Sequence, residues 1–157
     1  MISEIDKVHL KRCIELAEEA LRNGDAPFGS VLVSGEGEVL FEDRNRISGG
    51  DNTRHPEFEI ARWAAEHLNA ADRKRAVVYT SGEHCSMCAS AHALVGLGRI
   101  VYASSVIQLT AWKKEWGIQS GSLKGLSVTD VIHADVDGPD EILSKEVKKF
   151  LRKYHQK

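Results

Sequence analysis

Residues 76–88 read Ala-Val-Val-Tyr-Thr-Ser-Gly-Glu-His-Cys-Ser-Met-Cys. Ala76 to Thr80 is a short apolar run of the kind that forms a strand buried on both faces. Ser81-Gly82-Glu83-His84 then turns into a helix whose first turn carries Cys85 and Cys88. Three residues apart, the two thiols project from one face of that turn. The positive partial charge at a helix N-terminus favours their thiolate forms, which are the forms that bind metal. The helix continues to about Leu97, bracketed by Gly96 and Gly98, and Arg99 to Ala103 follows as another strand. A strand–helix–strand crossover of this length implies a parallel pair at the centre of a sheet.

Thirty positions before Cys85 stands His55-Pro56-Glu57. Pro56 suits the first position of a second helix, where its missing N–H costs nothing. That helix runs to about Asn69, with Phe58, Ala61, Ala65 and Leu68 at spacings of three and four. Trp63 falls off this stripe and meets another layer or a partner chain. Arg73-Lys74-Arg75 reads as a solvated connector. Earlier still, residues 3 to about 23 form an amphipathic helix with Leu10, Cys13, Ile14, Ala17, Ala20 and Leu21 on one face. Ser3 is its N-cap and Asn23-Gly24 its stop; Cys13, on the apolar face, is a core thiol. Ser30 to Val33 and Val39 to Phe41 lie on either side of Gly35-Glu36-Gly37, a hairpin pattern. Asn45 closes the second of these strands and opens a polar loop, Ser48 to Arg54. From the residue alone Asn45 is a turn former.

Beyond the central crossover, residues 104–125 are too long for a routine connection and are functional or partly helical. Trp112 and Trp116, four apart, form either a packing pair on a short helix or a pocket lining. Val128-Thr129-Asp130-Val131-Ile132 reads as the last strand. After the break at Gly138-Pro139, Glu141 to Tyr154 is a terminal helix with Ile142, Val147, Phe150, Leu151 and Tyr154 as its apolar positions. There are no repeats and no low-complexity segment, so residues 1–157 read as one domain.

The bulk numbers agree with an ordinary globular chain of 157 residues, 42% hydrophobic and 28% charged. A formal net charge of −2 creates no global field for nucleic acid. Three cysteines, two of them in a C-x-x-C, argue for reduced thiols and a metal, not a disulfide framework. No apolar run approaches the roughly 18 residues of a membrane span, and the first residues lack a signal-peptide layout. A cytoplasmic protein is expected.

His55, Cys85 and Cys88 are three zinc-type ligands. A zinc with three protein ligands keeps its fourth position for water, which marks a catalytic centre. Glu57, two residues from the histidine, reaches that water without being a ligand. A closed structural site would need a fourth protein ligand, for which His84 and His92 are the nominal candidates.

H-x-E with C-x-x-C, each opening a helix, resembles the cytidine deaminase-like zinc-dependent deaminases. The likeness is to the branch holding guanine deaminases, fungal cytosine deaminase and tRNA adenosine deaminases. It implies an α/β three-layer fold, a mixed central sheet of about five strands with helices on both faces. It also implies Zn²⁺ on His55, Cys85 and Cys88, with Glu57 as the catalytic proton shuttle, and it places Asn45 and Phe28 against the substrate. Pro27-Phe28-Gly29 resembles the guanine deaminase branch, whereas tRNA-editing members more often carry Pro-Val-Gly. Ala-Ser-Ala-His-Ala-Leu after Cys88 lacks the His-Ser-Arg of the tRNA branch. His84 stands where the family normally has proline. The expected activity is therefore hydrolytic deamination of a small free nucleobase or nucleoside, guanine-type first and cytosine-type second. No nucleic-acid or membrane partner is expected, and family resemblance implies a homodimer. A tRNA adenosine deaminase is the alternative, with Lys148, Lys149, Arg152, Lys153 and Lys157 as phosphate contacts. A zinc-stabilised binding module without turnover is the third reading, and the intact Glu57 argues against it.

Overall fold

A computed structural model describes residues 1–156. Helix α1 (Glu4–Arg22) begins with a reciprocal cap: the Ser3 hydroxyl accepts the Asp6 N–H at 3.1 Å, and the Asp6 carboxylate accepts the Ser3 N–H at 2.9 Å. Its buried face carries Leu10, Cys13, Ile14, Leu16, Ala17 and Ala20, so Cys13 is the expected core thiol. Strands β1 (Gly29–Val33) and β2 (Val39–Arg44) pair antiparallel as a hairpin. Next come α2 (Pro56–His67), α3 (Ala70–Arg75), β3 (Val77–Gly82), α4 (Ser86–Leu94) and β4 (Ile100–Ser104). The chain ends with α5 (Val106–Glu115), α6 (Val128–Val131), β5 (Val136–Asp137) and α7 (Glu141–His155).

The sheet order is β2-β1-β3-β4-β5, antiparallel across β2-β1-β3 and parallel across β3-β4-β5. Strand side chains alternate faces, and this alternation builds two core layers. Val31, Val33, Tyr79, Val101 and Ala103 pack with α1 and α7 residues such as Leu10, Ile14, Leu143 and Leu151. Leu32 and Val78 on the opposite face pack with Ile60 and Ala64 of α2, while Ile100 and Tyr102 pack with Ala89 of α4 and Val128 of α6. Each fully buried Leu or Ile contributes roughly 1.5–3 kcal/mol relative to an exposed one, so burial on both faces holds the layers to the sheet. No helix among the described residues is long and apolar enough to cross a membrane.

Two expectations are corrected. Val128 to Ile132 is not a strand: Val128–Val131 is the short helix α6, and the fifth strand is Val136–Asp137, parallel to Ile100–Val101. Hydrogen bonds at the helix start outweigh the β propensity of Val128, Val131 and Ile132. The Asp130 carboxylate accepts the Ser127 N–H at 3.2 Å, and the distant Glu83 carboxylate accepts the Val128 N–H at 2.8 Å. Residues 73–75 are not a simple solvated connector either. They end α3, and the Arg73 guanidinium donates to the carbonyls of Ala64, Ala65, Leu68 and Val95, closing the C-terminal ends of α2 and α4.

Candidate active site

The starts of α2 and α4 meet beside the C-terminal end of β3. His55 and Cys85 are the residues just before each helix, both with extended backbones (φ −94°, ψ 140° and φ −72°, ψ 171°). Their side chains therefore project beyond the helix tips, and Cys88 joins them from the first turn of α4. The His55 Nδ1 lies 3.5 Å from the Sγ of Cys85 and 3.5 Å from the Sγ of Cys88. A tetrahedral zinc with Zn–S of about 2.3 Å and Zn–N of about 2.05 Å requires N···S edges of about 3.5 Å. Both N···S edges thus match those of a tetrahedral zinc.

The Cys88 thiol hydrogen-bonds to Cys85 and brings its pKa down to about 4, against the opposing effect of burial, with a further bond from His55. Cys88 moves the opposite way, raised by that bond to Cys85 and by burial. His55 is raised by its bond to Cys85, which outweighs burial. Metal binding requires both sulfurs as thiolates, so it releases whatever proton the pair holds.

Glu57 sits in the first turn of α2, 6% exposed. Its Oε1 lies 2.8 Å from the Ser30 hydroxyl and 3.2 Å from the Thr80 hydroxyl. Burial raises its pKa, while the charge of His55 and the two hydroxyls pull it down. The ligand atoms of His55, Cys85 and Cys88 lie within 4.8 Å of one another, and among the described residues Glu57 is not in that set.

A family model, the cytidine and deoxycytidylate deaminase zinc-binding region, matches residues 3–104. The chain belongs to this deaminase family. Zinc is accordingly the metal that the His-Cys-Cys triangle is built to hold. A probable cytosine deaminase of Schizosaccharomyces pombe is 30% identical over 112 residues, covering 69% of this chain and 68% of that protein. The tRNA-specific adenosine deaminase of Haemophilus influenzae is 31% identical over 104 residues, covering 66% of this chain and 60% of its own length. The solved structure of Bacillus subtilis guanine deaminase superposes with a TM-score of 0.59 at 31% identity, covering 67% of this chain and 68% of that one. Family members of three named substrate classes are thus similar to this deaminase at nearly equal identity.

The other residues singled out in the sequence fall in different places. Asn45 is 2% exposed; its N–H donates to the Phe28 carbonyl at 3.0 Å, and its Oδ1 accepts the Ile47 N–H at 3.0 Å. It is thus a turn residue in fact, yet no bond to its amide nitrogen is found among the described residues. The Phe28 ring lies against Gly82 so closely that a Cβ there would come within 2.8 Å of it. His84 and His92 are buried and meet edge to face, with ring centroids 5.4 Å apart. They stand outside the ligand set, so a closed site of four protein ligands is not what the deaminase presents. Trp112 and Trp116 pack in the core layer of α1 and α7, on the opposite side of the sheet from α2 and α4. They stack on each other with ring centroids 6.5 Å apart, the arrangement of a packing pair.

Sequence reasoning missed four residues around the site. Ser30 and Thr80 are polar residues inside otherwise apolar strand runs, and that interruption is the signal they carry. Asp25 accepts the Ser48 N–H and an Arg44 N–H, each at 2.8 Å, anchoring the loop that carries Asn45 and leads to His55. Glu83 accepts the N–H of Val106 and of Val128, each at 2.8 Å, tying the approach to Cys85 to the starts of α5 and α6.

Proposed function

We propose that this family member hydrolyses the exocyclic amine of a free nucleobase or nucleoside, guanine-type first and cytosine-type second, releasing ammonia. The observation that carries this reading is Glu57: a buried carboxylate beside the three metal ligands, hydrogen-bonded through one oxygen to hydroxyls. A zinc held by His55, Cys85 and Cys88 would supply a water whose pKa is lowered toward about 7. Glu57 accepts the proton released as water adds to the amine-bearing carbon and passes it to the adjacent ring nitrogen. Glu57 then delivers the second proton to the amine, the C–N bond breaks and ammonia leaves. One carboxylate serves both transfers because addition and departure occur at the same carbon; such acid–base work contributes about 10² to 10⁴-fold. Asn45 offers its side-chain amide N–H to the edge of the heterocycle, and Phe28, half-buried against the α1 and α7 core and Gly82, is the second residue assigned to the substrate.

The guanine preference rests on Pro27-Phe28-Gly29 and on the guanine deaminase of Bacillus subtilis. The Haemophilus influenzae relative favours tRNA adenosine as the second reading. Against it, Lys148, one of the basic residues available to hold phosphates, is paired with Glu115 at 3.1 Å. The chain acts as a homodimer in this reading, supported by Leu94 and Ile107, which are 87% and 72% exposed in the single chain.

The deciding experiment is a screen of free bases, nucleosides and a tRNA anticodon stem-loop, read by ammonia release, with Glu57→Gln as control. Turnover of a base or nucleoside that falls by at least about 10²-fold in Glu57→Gln, with zinc retained, is the expected result. Near-normal turnover in that variant overturns the mechanism.

A further inference from the structure

Ser30 and Thr80 face each other directly in the antiparallel register of β1 and β3. Both are fully buried, and both turn toward the layer of α2. Their hydroxyls and the Glu57 Oε1 form a triangle with sides of 2.8, 2.9 and 3.2 Å, and the Thr80 hydroxyl also reaches the Gly82 carbonyl at 2.9 Å. A buried hydroxyl with no partner costs about 1–3 kcal/mol, so an alanine or valine would be the simpler occupant of either strand. Here the cross-strand pair finds its partner on a helix 27 and 23 residues away in sequence.

We propose that Ser30 and Thr80 are positioning residues for Glu57. Building on the deaminase reading above, their two hydroxyls hold one carboxylate oxygen and leave the other to exchange protons with the reacting atoms. A hydroxyl suits this task because it donates to the held oxygen without placing a fixed charge beside it. Oε1 accepts from Ser30 whether the other oxygen is bare or carries the proton, and the Thr80 hydroxyl is shared between Oε1 and the Gly82 carbonyl. The grip on Glu57 therefore persists through both halves of the transfer, and neither hydroxyl touches substrate or metal.

The test uses the zinc-loaded chain, three single variants, the double variant Ser30→Ala/Thr80→Val, and Glu57→Gln as spectral reference. Ser30→Ala and Thr80→Val remove a hydroxyl at nearly constant shape, whereas Thr80→Ser keeps it. For each, kcat and KM are measured on guanine and cytosine, along with zinc per chain, the melting temperature and the infrared carboxylate band of Glu57. That band is isolated by subtracting the spectrum of Glu57→Gln. The expected result is kcat lower by about 10-fold in each deletion and about 100-fold in the double variant, with KM and zinc content within about twofold of the parent. Thr80→Ser stays near the parent, and the carboxylate band shifts in the deletions alone. Unchanged kcat and an unmoved band in the double variant overturn the proposal, as does a loss of activity that simply follows lost zinc. If no base or nucleoside is turned over by the parent, the functional reading fails while the infrared band still decides this one.

Discussion

Asp6 and Arg99 form a two-armed ion pair across 93 positions of sequence: the Arg99 Nη1 donates to Oδ1 at 3.0 Å and Nη2 to Oδ2 at 2.9 Å. The Tyr79 hydroxyl adds a third donor at 2.7 Å, so one carboxylate joins α1 to β3 and β4. Asp6 is 3% exposed, and breaking such a pair leaves a buried charge without its partner. Arg99→Ala should cost roughly 3 kcal/mol, the lower end for a buried pair because the Arg99 side chain is a quarter exposed. Burial alone would raise the Asp6 carboxyl, but the bonds from Arg99, Ser3 and Tyr79 hold it well below the usual carboxylate range. The stability it contributes is therefore full above its unfolded value of about 3.9 and fades as pH falls toward the folded one. Urea unfolding from pH 7 to pH 2 should show a shallower acid loss in Asp6→Asn than in the parent. Parallel curves would show that Asp6 is not the titrating anchor.

The metal triangle predicts an all-or-none response. Purified chain should carry about one zinc, and either Cys85→Ser or Cys88→Ser should lose it, because a hydroxyl is a poor substitute for a thiolate on zinc. Metal content by atomic emission after exhaustive dialysis is the measurement. Full zinc in both single variants would eliminate this ligand set.

Asn45 offers a cleaner test than alanine replacement would. Its Oδ1 holds the Ile47 N–H, while the amide nitrogen has no bond among the described residues. Asn45→Asp keeps the acceptor for the turn and removes the donor for the substrate. The expected result is zinc content near the parent, a melting temperature lowered by the buried carboxylate, and kcat/KM reduced by at least about 10-fold because a base edge loses its partner. Kinetics within about twofold of the parent would assign Asn45 to the turn alone.

The parts of this chain that were legible in sequence share a physical cause. His55, Cys85 and Cys88 announce themselves because helix starts impose a short, fixed spacing on groups that must converge. The α1 stripe is legible in the same way, whereas on α2 the face read as Phe58, Ala61, Ala65 and Leu68 is not the buried one, which carries Ile60, Ala61 and Ala64. Val128–Ile132 misled because its four β-branched residues, Val128, Thr129, Val131 and Ile132, fit a strand, while the forces that fold it as a helix include a carboxylate 45 positions away. Ser30 and Thr80 were silent for a related reason: a hydroxyl in a strand is unremarkable until register sets it opposite another and under Glu57. Arg73 looked like solvated charge, and only the approach of two helix ends gives its guanidinium four carbonyls.

Substrate size is the remaining question, and ionic strength can answer it. Binding through phosphates weakens steeply with salt, since every neutralised phosphate releases counterions. A chain with net charge −2 offers little field to a polyanion. Its basic residues on α7 include Lys148, which is already committed to Glu115 and lies 5.8 Å from the Trp112 ring centre. A neutral base or nucleoside releases no counterions when it binds. The expected outcome is therefore a kcat/KM for guanine or cytosine that changes by less than about twofold between 50 and 200 mM salt. An adenosine-bearing stem-loop should be turned over far more slowly, if at all, under the same conditions. Were the stem-loop the sole substrate, with a rate falling by several orders of magnitude over that salt range, the small-molecule reading would be wrong. Lys149, Arg152 and Lys153 would then be the phosphate contacts to mutate next, each expected to reduce the salt slope by about one.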